Sequence, residues 1–113
     1  MRSPKPLFDS TSGLKTLIYQ LRQYEIYPGK MPDWVALFDG HIKPLHDRLG
    51  IPIIGAWQPV EDDTFVWIRG FHDQKAIARL EAAYFSSPER QALGDRPQQL
   101  IQQMQIKLMT AIS

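Results

Sequence analysis

Cysteine is absent from the 113 residues, which excludes disulfide bonds, thiolate nucleophiles and cysteine-ligated metals. An excess of either charge is also missing, because 13 Lys and Arg face 12 Asp and Glu with no basic block among them. Neither nucleic acid nor an anionic membrane is therefore an expected partner. No apolar run nears the roughly 18–20 residues that span a bilayer. Phosphate-cradling glycine loops, nucleophile elbows and paired carboxylates on one element are lacking too. The first fourteen residues, MRSPKPLFDSTSGL, have no apolar stretch like that of a cleavable signal. They read as a flexible tail, leaving 15–113 as one domain and the cytoplasm as the expected location.

Hydrophobic residues make up 43% of the chain, enough for a core in one small domain. Lys15–Tyr27 is rich in β-branched and aromatic residues and predicts a strand, which Pro28-Gly29 ends. From Met31 to Leu49, apolar residues recur every three or four positions and predict a helix stopped by Gly50 and bent at Pro44. Ile51–Pro59 reads as an edge strand between prolines, and Thr64–Phe71 as the strongest strand, with Glu61-Asp62-Asp63 turning between them. Asp73 is placed to cap a second helix, and Ser87-Pro88 to start a short extension ending at Gly94. One further turn over Pro97–Gln103 and a last strand over Met104–Ile112 complete the chain.

This order predicts an α+β domain of β-α-β-β-α-β layout, a four-stranded antiparallel sheet with both helices on one face. The apolar set Leu17, Tyr19, Leu21, Val66, Ile68, Ile106 and Leu108 is expected beneath the helices. The opposite parity, Gln20, Arg22, Tyr24, Trp57, Trp67, Arg69 and Phe71, is then expected on a bare face of roughly 300 Å². A face so rich in aromatics is not left in water; a homodimer joined through the sheet faces is the simplest cover, and a monomer whose N-terminal tail or C-terminal segment lies over the face is the other.

The segments YQLRQYEIYPGK, HIKPLHDRLG, GAW, FVWIRGF and AAYFSSPE, in that order, resemble the NIPSNAP family within the dimeric α/β-barrel superfamily. The resemblance implies a ferredoxin-like fold and a homodimer whose sheets enclose a central cavity. It implies no particular reaction, although relatives in the superfamily include cofactor-independent monooxygenases, isomerases and haem-handling proteins. Where the family's first strand usually reads Tyr-Glu-Leu-Arg, this chain has Tyr19-Gln20-Leu21-Arg22. Glutamine hydrogen-bonds but cannot act as a base.

As ligand contacts, Gln20, Arg22, Tyr24, Trp57, Trp67, Arg69 and Phe71 suit a planar or anionic small molecule. As plain structure, the same aromatics are core and each Arg is stacked on Trp or paired with a carboxylate. Tyr24 and His41 are the candidates for catalysis. His41 and His46 stand about 140° apart on a helix and do not form a metal pair, so neither a metal nor a cofactor is expected. The expected function is a homodimer binding a small aromatic or anionic ligand. A cofactor-independent monooxygenase or isomerase and a purely structural interaction module are the alternatives, and the lack of Asp or Glu in the ligand set disfavours an enzyme.

Overall fold

The computed structural model describes residues 15–112. The segment read as a flexible tail, 1–14, lies outside the described residues. Strand β1 (Ile18–Ile26) leads into helices α1 (Met31–Leu37) and α2 (Lys43–Leu49), which are joined without a break by a π-helical segment, Phe38–Ile42. Strands β2 (Ile53–Trp57) and β3 (Thr64–Phe71) form a hairpin. Helices α3 (Gln74–Ser86), α4 (Pro88–Leu93) and α5 (Arg96–Leu100) then return the chain to β4 (Ile101–Met109). Spatial order is β2-β3-β1-β4, with all neighbours antiparallel. The ferredoxin-like layout and the edge position of β2 match the expectation. The last strand starts three residues earlier than its alternation suggested, at Ile101 instead of Met104.

Local chemistry sets the boundaries. The Asp73 carboxylate accepts from the Ala76 N–H at 2.8 Å, and the Ser87 hydroxyl accepts from Arg90 N–H at 3.1 Å, so both predicted caps form. Gly50 ends α2 in the left-handed region, at φ 75°.

The helix-facing side of the sheet is the reverse of the expectation. Register pairs Tyr24 with Phe65 and Met104, Arg22 with Trp67 and Ile106, and Gln20 with Arg69 and Leu108. Directly opposed residues share a face. Tyr24, Phe65, Trp67, Phe71, Gln20 and Arg69 are buried beneath Trp34, Phe38, Leu45 and Tyr84, so this side lies under the helices. Tyr19, Leu21, Val66 and Ile68 lie on the uncovered side. Ile106 and Leu108 face the helix side as expected, yet each stays nearly half exposed, because the helix packed against β4 is α5, at its start. Trp57 alone of the aromatic set is on the open face. A register shift between Ile53 and Gly55 sets it opposite Val66.

Volume explains the reversal. The set containing Phe65, Trp67 and Phe71 buries far more area than Val66 and Ile68, and the deeper layer takes it. The two arginines that made it look solvent-facing are satisfied from the helices. Among the described residues no helix is long and apolar enough to cross a membrane.

The helical stretch Met31–Leu49 is not the uniform α-helix its periodicity implied. The Lys43 N–H bonds to Phe38 O, five residues back, instead of closing an α-turn. The additional residue turns everything beyond it by about 100°. In a straight α-helix, His46 would lie about 80° from Phe38; with the π segment it comes within about 20° of it. Removing exposed Gly40 should therefore turn α2 out of register and cost more than about 3 kcal/mol in denaturant unfolding. Gly40→Ala, which meets nothing within 4 Å of its new Cβ, should instead be neutral or stabilise by up to about 1 kcal/mol. Equal stabilities for the deletion and the wild type would contradict this account of the π segment.

Candidate functional site

A pocket of about 100 Å³ lies between the sheet and the helices of a single chain. It is not in the expected place, between two sheets. Strands β1 and β3 supply Arg22, Tyr24, Trp67 and Arg69 to its lining; helices supply Trp34, His46, Glu81, Tyr84, Phe85 and Arg90. Exposed Phe85, Gln98 and Met104 mark its mouth.

Arg69 is the centre of the polar network. Its Nε donates to Gln20 Oε1 at 3.1 Å, and one Nη also reaches that oxygen. Arg22 Nη1 donates to the same Oε1 at 3.0 Å. An oxygen facing three guanidinium N–H groups fixes the orientation of the amide, because the NH₂ end has only donors to offer. The second carboxylate oxygen of Glu81 pairs with Arg69 and lies 3.5 Å from Arg22 Nη1. Arg22 Nε donates to the Tyr24 hydroxyl at 2.6 Å. Arg69 also stacks, its Cζ lying 5.4 Å from the Trp67 ring centre and 5.2 Å from that of Phe71. Burial, followed by the charge of Arg22, pulls Arg69 below the usual guanidinium range.

His46 has no exposed surface. Its Nδ1 is 2.8 Å from the Ile42 carbonyl, an atom that only accepts, so Nδ1 carries the proton. Its Nε2 is 3.1 Å from Arg69 Nη1, which only donates, so Nε2 accepts. The ring is thereby fixed as the neutral tautomer. Burial lowers its pKa from 6.5 to about 4, and the charges of Arg69 and Arg22 push the same way against the Ile42 hydrogen bond. Burial likewise raises the pKa of Tyr84, whose ring centre lies 4.8 Å from that of His46.

Donors dominate the remaining groups. The indole N–H groups of Trp34 and Trp67, both in the lining, have no hydrogen-bond partner among the described residues. Tyr24 receives the Arg22 bond and has its own proton left to give. Arg90, almost completely buried, donates through Nη1 to the Gly94 carbonyl at 3.0 Å. Glu81 is the one carboxylate in the described lining, so three guanidinium groups against one carboxylate leave two positive charges in excess. Among the described residues, no three His, Asp or Glu side chains gather as metal ligands.

Of the residues singled out by sequence, Arg22, Tyr24, Trp67 and Arg69 meet in this pocket. Gln20 and Phe71 support it through Arg69, and Trp57 lies on the other side of the sheet. His41 is exposed, beside Asp33, Arg96 and Gln99, and takes no part in the pocket. The expected lack of an acid is corrected by Glu81, and His46 takes the place expected of His41. Helical spacing did contain these signals. Glu81 falls four residues after Ile77 and three before Tyr84, on the inward face of α3. His46 likewise falls four residues after Ile42 and three before Leu49, at the spacing of the stripe.

A four-stranded antiparallel sheet, helices on one side and an arginine-lined pocket between the layers define a ferredoxin-like α+β protein. The NIPSNAP family profile matches residues 19–113, and the chain belongs to that family. Solved structures agree on the fold. An uncharacterised NIPSNAP domain protein of Burkholderia xenovorans superposes with a TM-score of 0.78 at 15% identity, covering 86% of this chain and 96% of that one. A NIPSNAP family protein of Agrobacterium tumefaciens gives 0.81 at 17%, with 86% and 94% covered. A Bacteroides thetaiotaomicron protein provisionally named an antibiotic biosynthesis monooxygenase gives 0.69 at 14%, with 87% and 91% covered. No curated protein sequence matches the chain.

The neutral His46 has a consequence for stability. The unfolded chain takes up a proton at this residue below about pH 6.5, and the folded chain only near 4. Its contribution is therefore complete above pH 6.5, declines as pH falls to about 4 and is level below that. Between pH 7.5 and 5 the wild type should lose about 2 kcal/mol more unfolding free energy than His46→Gln. Parallel urea titrations of both proteins would show it. Identical pH dependence would mean that His46 takes up its proton as readily in the fold as in the unfolded chain.

Proposed function

We propose that the protein is a homodimeric binding module that holds a small organic anion in the pocket of each subunit. The observation that carries this reading is the buried positive excess. Arg22 and Arg69 share the Glu81 carboxylate and Arg90 meets only a backbone carbonyl, with further donors at Tyr24, Trp34 and Trp67. Buried charge without a counter-charge is costly, and a bound anion offsets that cost while using the orphan N–H groups. Guanidinium forks suit carboxylate geometry, and the aromatic walls suit a planar or apolar remainder. About 100 Å³ holds a group the size of a few water molecules, at roughly 30 Å³ each, which is enough for a carboxylate head.

Binding is better supported than a cofactor-independent oxygenation or isomerisation in the same pocket. The lone pair of His46 that would act as a base already accepts from Arg69, and Glu81 is engaged by two guanidinium groups. The fold shared with the Bacteroides protein is compatible with either.

The ligand test compares acids with their amides. Acetate and benzoate should bind at least tenfold more tightly than acetamide and benzamide in calorimetry, and Arg22→Gln should remove that preference. Glu81→Gln, which frees two guanidinium groups, should tighten acid binding several-fold. Equal binding of acid and amide, or an unchanged Arg22→Gln protein, would sink this reading.

The second copy covers the open face. Tyr19, Leu21, Val66 and Ile68 are flanked there by Ile54 and Trp57, each about half exposed at 50% and 52%. The Trp57 ring packs over Gly55, where a Cβ would come within 2.6 Å of it, so the ring lies close against the strand. Such a surface favours sheet-on-sheet association. Sedimentation of the wild type at micromolar concentration should give a dimer, and Ile68→Lys a monomer with its pocket intact. A wild-type monomer would leave the open face unexplained and end the dimer proposal.

A further inference from the structure

The mouth of the pocket does not end at its rim. Met104 belongs to the lining and is 45% exposed, and Ile106 and Leu108 continue from it on the same side of β4 at 47% and 46%. Alternate residues on one strand face recur at about 6.6 Å, so the three make an apolar ladder about 13 Å long. Phe85, also in the lining and 50% exposed, extends it from α3. Among the described residues no helix layer covers the ladder, and it is not the face offered for sheet pairing, since the open side of β4 carries Gln103, Gln105 and Lys107. Arg22 runs beside the ladder: it lies opposite Ile106, the middle residue, in register, and its Nη2 comes within 3.9 Å of the Met104 sulfur.

We infer that the ligand is an amphiphilic carboxylate, whose head enters the arginine pocket while an extended apolar tail lies along Met104, Ile106 and Leu108 against Phe85. This rests on the anion-binding reading and adds the chemical class of the ligand. Continuity selects this occupant over a second protein. One residue, Met104, belongs to both the charged pocket and the ladder, so a molecule held by its head has its tail on the ladder at no further ordering of the protein. A peptide strand added at the β4 edge would instead use backbone groups and would have no need of the adjoining charge.

A homologous series of straight-chain carboxylates, acetate to octanoate, held below micelle-forming concentration, tests it by calorimetry. Affinity should rise about three- to fourfold for each added methylene while the ladder lasts. Ile106→Ser and Leu108→Ser, both on an exposed strand face, should leave acetate affinity and the circular dichroism spectrum unchanged and flatten the chain-length dependence. Acetate binding with no gain from longer chains would overturn the tail assignment and leave the anion pocket standing. No carboxylate binding at any length would overturn both. If Ile106→Ser weakens the dimer in sedimentation and leaves the chain-length series intact, the ladder is an interface with the second copy and the inference fails. Octanoate binding that survives Arg22→Gln would show that the charged head is placed elsewhere, and would overturn it as well.

Discussion

Arg69 is a charged group placed under two helices, and most of the surrounding arrangement answers that constraint. A guanidinium in that position is tolerable only if its N–H groups are met and its charge is partly balanced. Gln20 receives two of them, His46 one and Glu81 another, while Trp67 and Phe71 present ring faces. Each polar partner comes from a different element, so the arginine ties β1, β3, α2 and α3 together. Breaking one partnership leaves an unmatched charge beneath the helices, which is why the network is conditional on all of its members.

Behind His46 lies the backbone. Its Nδ1 proton is held by the carbonyl of Ile42, the last residue of the π segment. That segment sets both the direction of α2 and the tautomer of the ring on it. Pro44 sits just past the segment, where its missing N–H removes one rung of the helical ladder in any case. The irregularity is thus placed where a regular α-helix would already have been interrupted. A blemish in the helical pattern and the orientation of a site residue have one cause.

Order, pairing and caps were legible in the sequence because they rest on local signals: the alternation of Thr64–Phe71, the Asp73 and Ser87 caps, and the prolines around β2. The residues gathered at the site were readable too, since Arg22, Tyr24, Trp67 and Arg69 share one strand parity. The direction of that parity was not. Polarity along a strand places arginines towards water, and only a partner from another element, here Glu81 and His46, reverses it. Side-chain volume was the better guide, with Trp67 and Phe65 outweighing Val66 and Ile68. His46 stands at helical spacing from Ile42 and Leu49, but a polar residue beside an apolar stripe gives no sign of burial until its partner on β3, Arg69, is known.

Gln20 is where the resemblance and the physics meet. A glutamate there would place a second carboxylate against Arg22 and Arg69 and balance that pair without any ligand, leaving Arg90 alone in excess. The amide makes the same three contacts through Oε1 and contributes no charge. The geometry of the arginine cluster is kept while its charge is left partly unanswered. A self-neutralised pair needs nothing from solution; this one keeps a positive excess, the observation on which the anion proposal rests. The substitution that removes a possible base from the first strand is therefore also the one that makes the pocket a better receptor for negative charge. The anion reading proposed for the site thus rests on the amide of Gln20 as much as on the arginines around it.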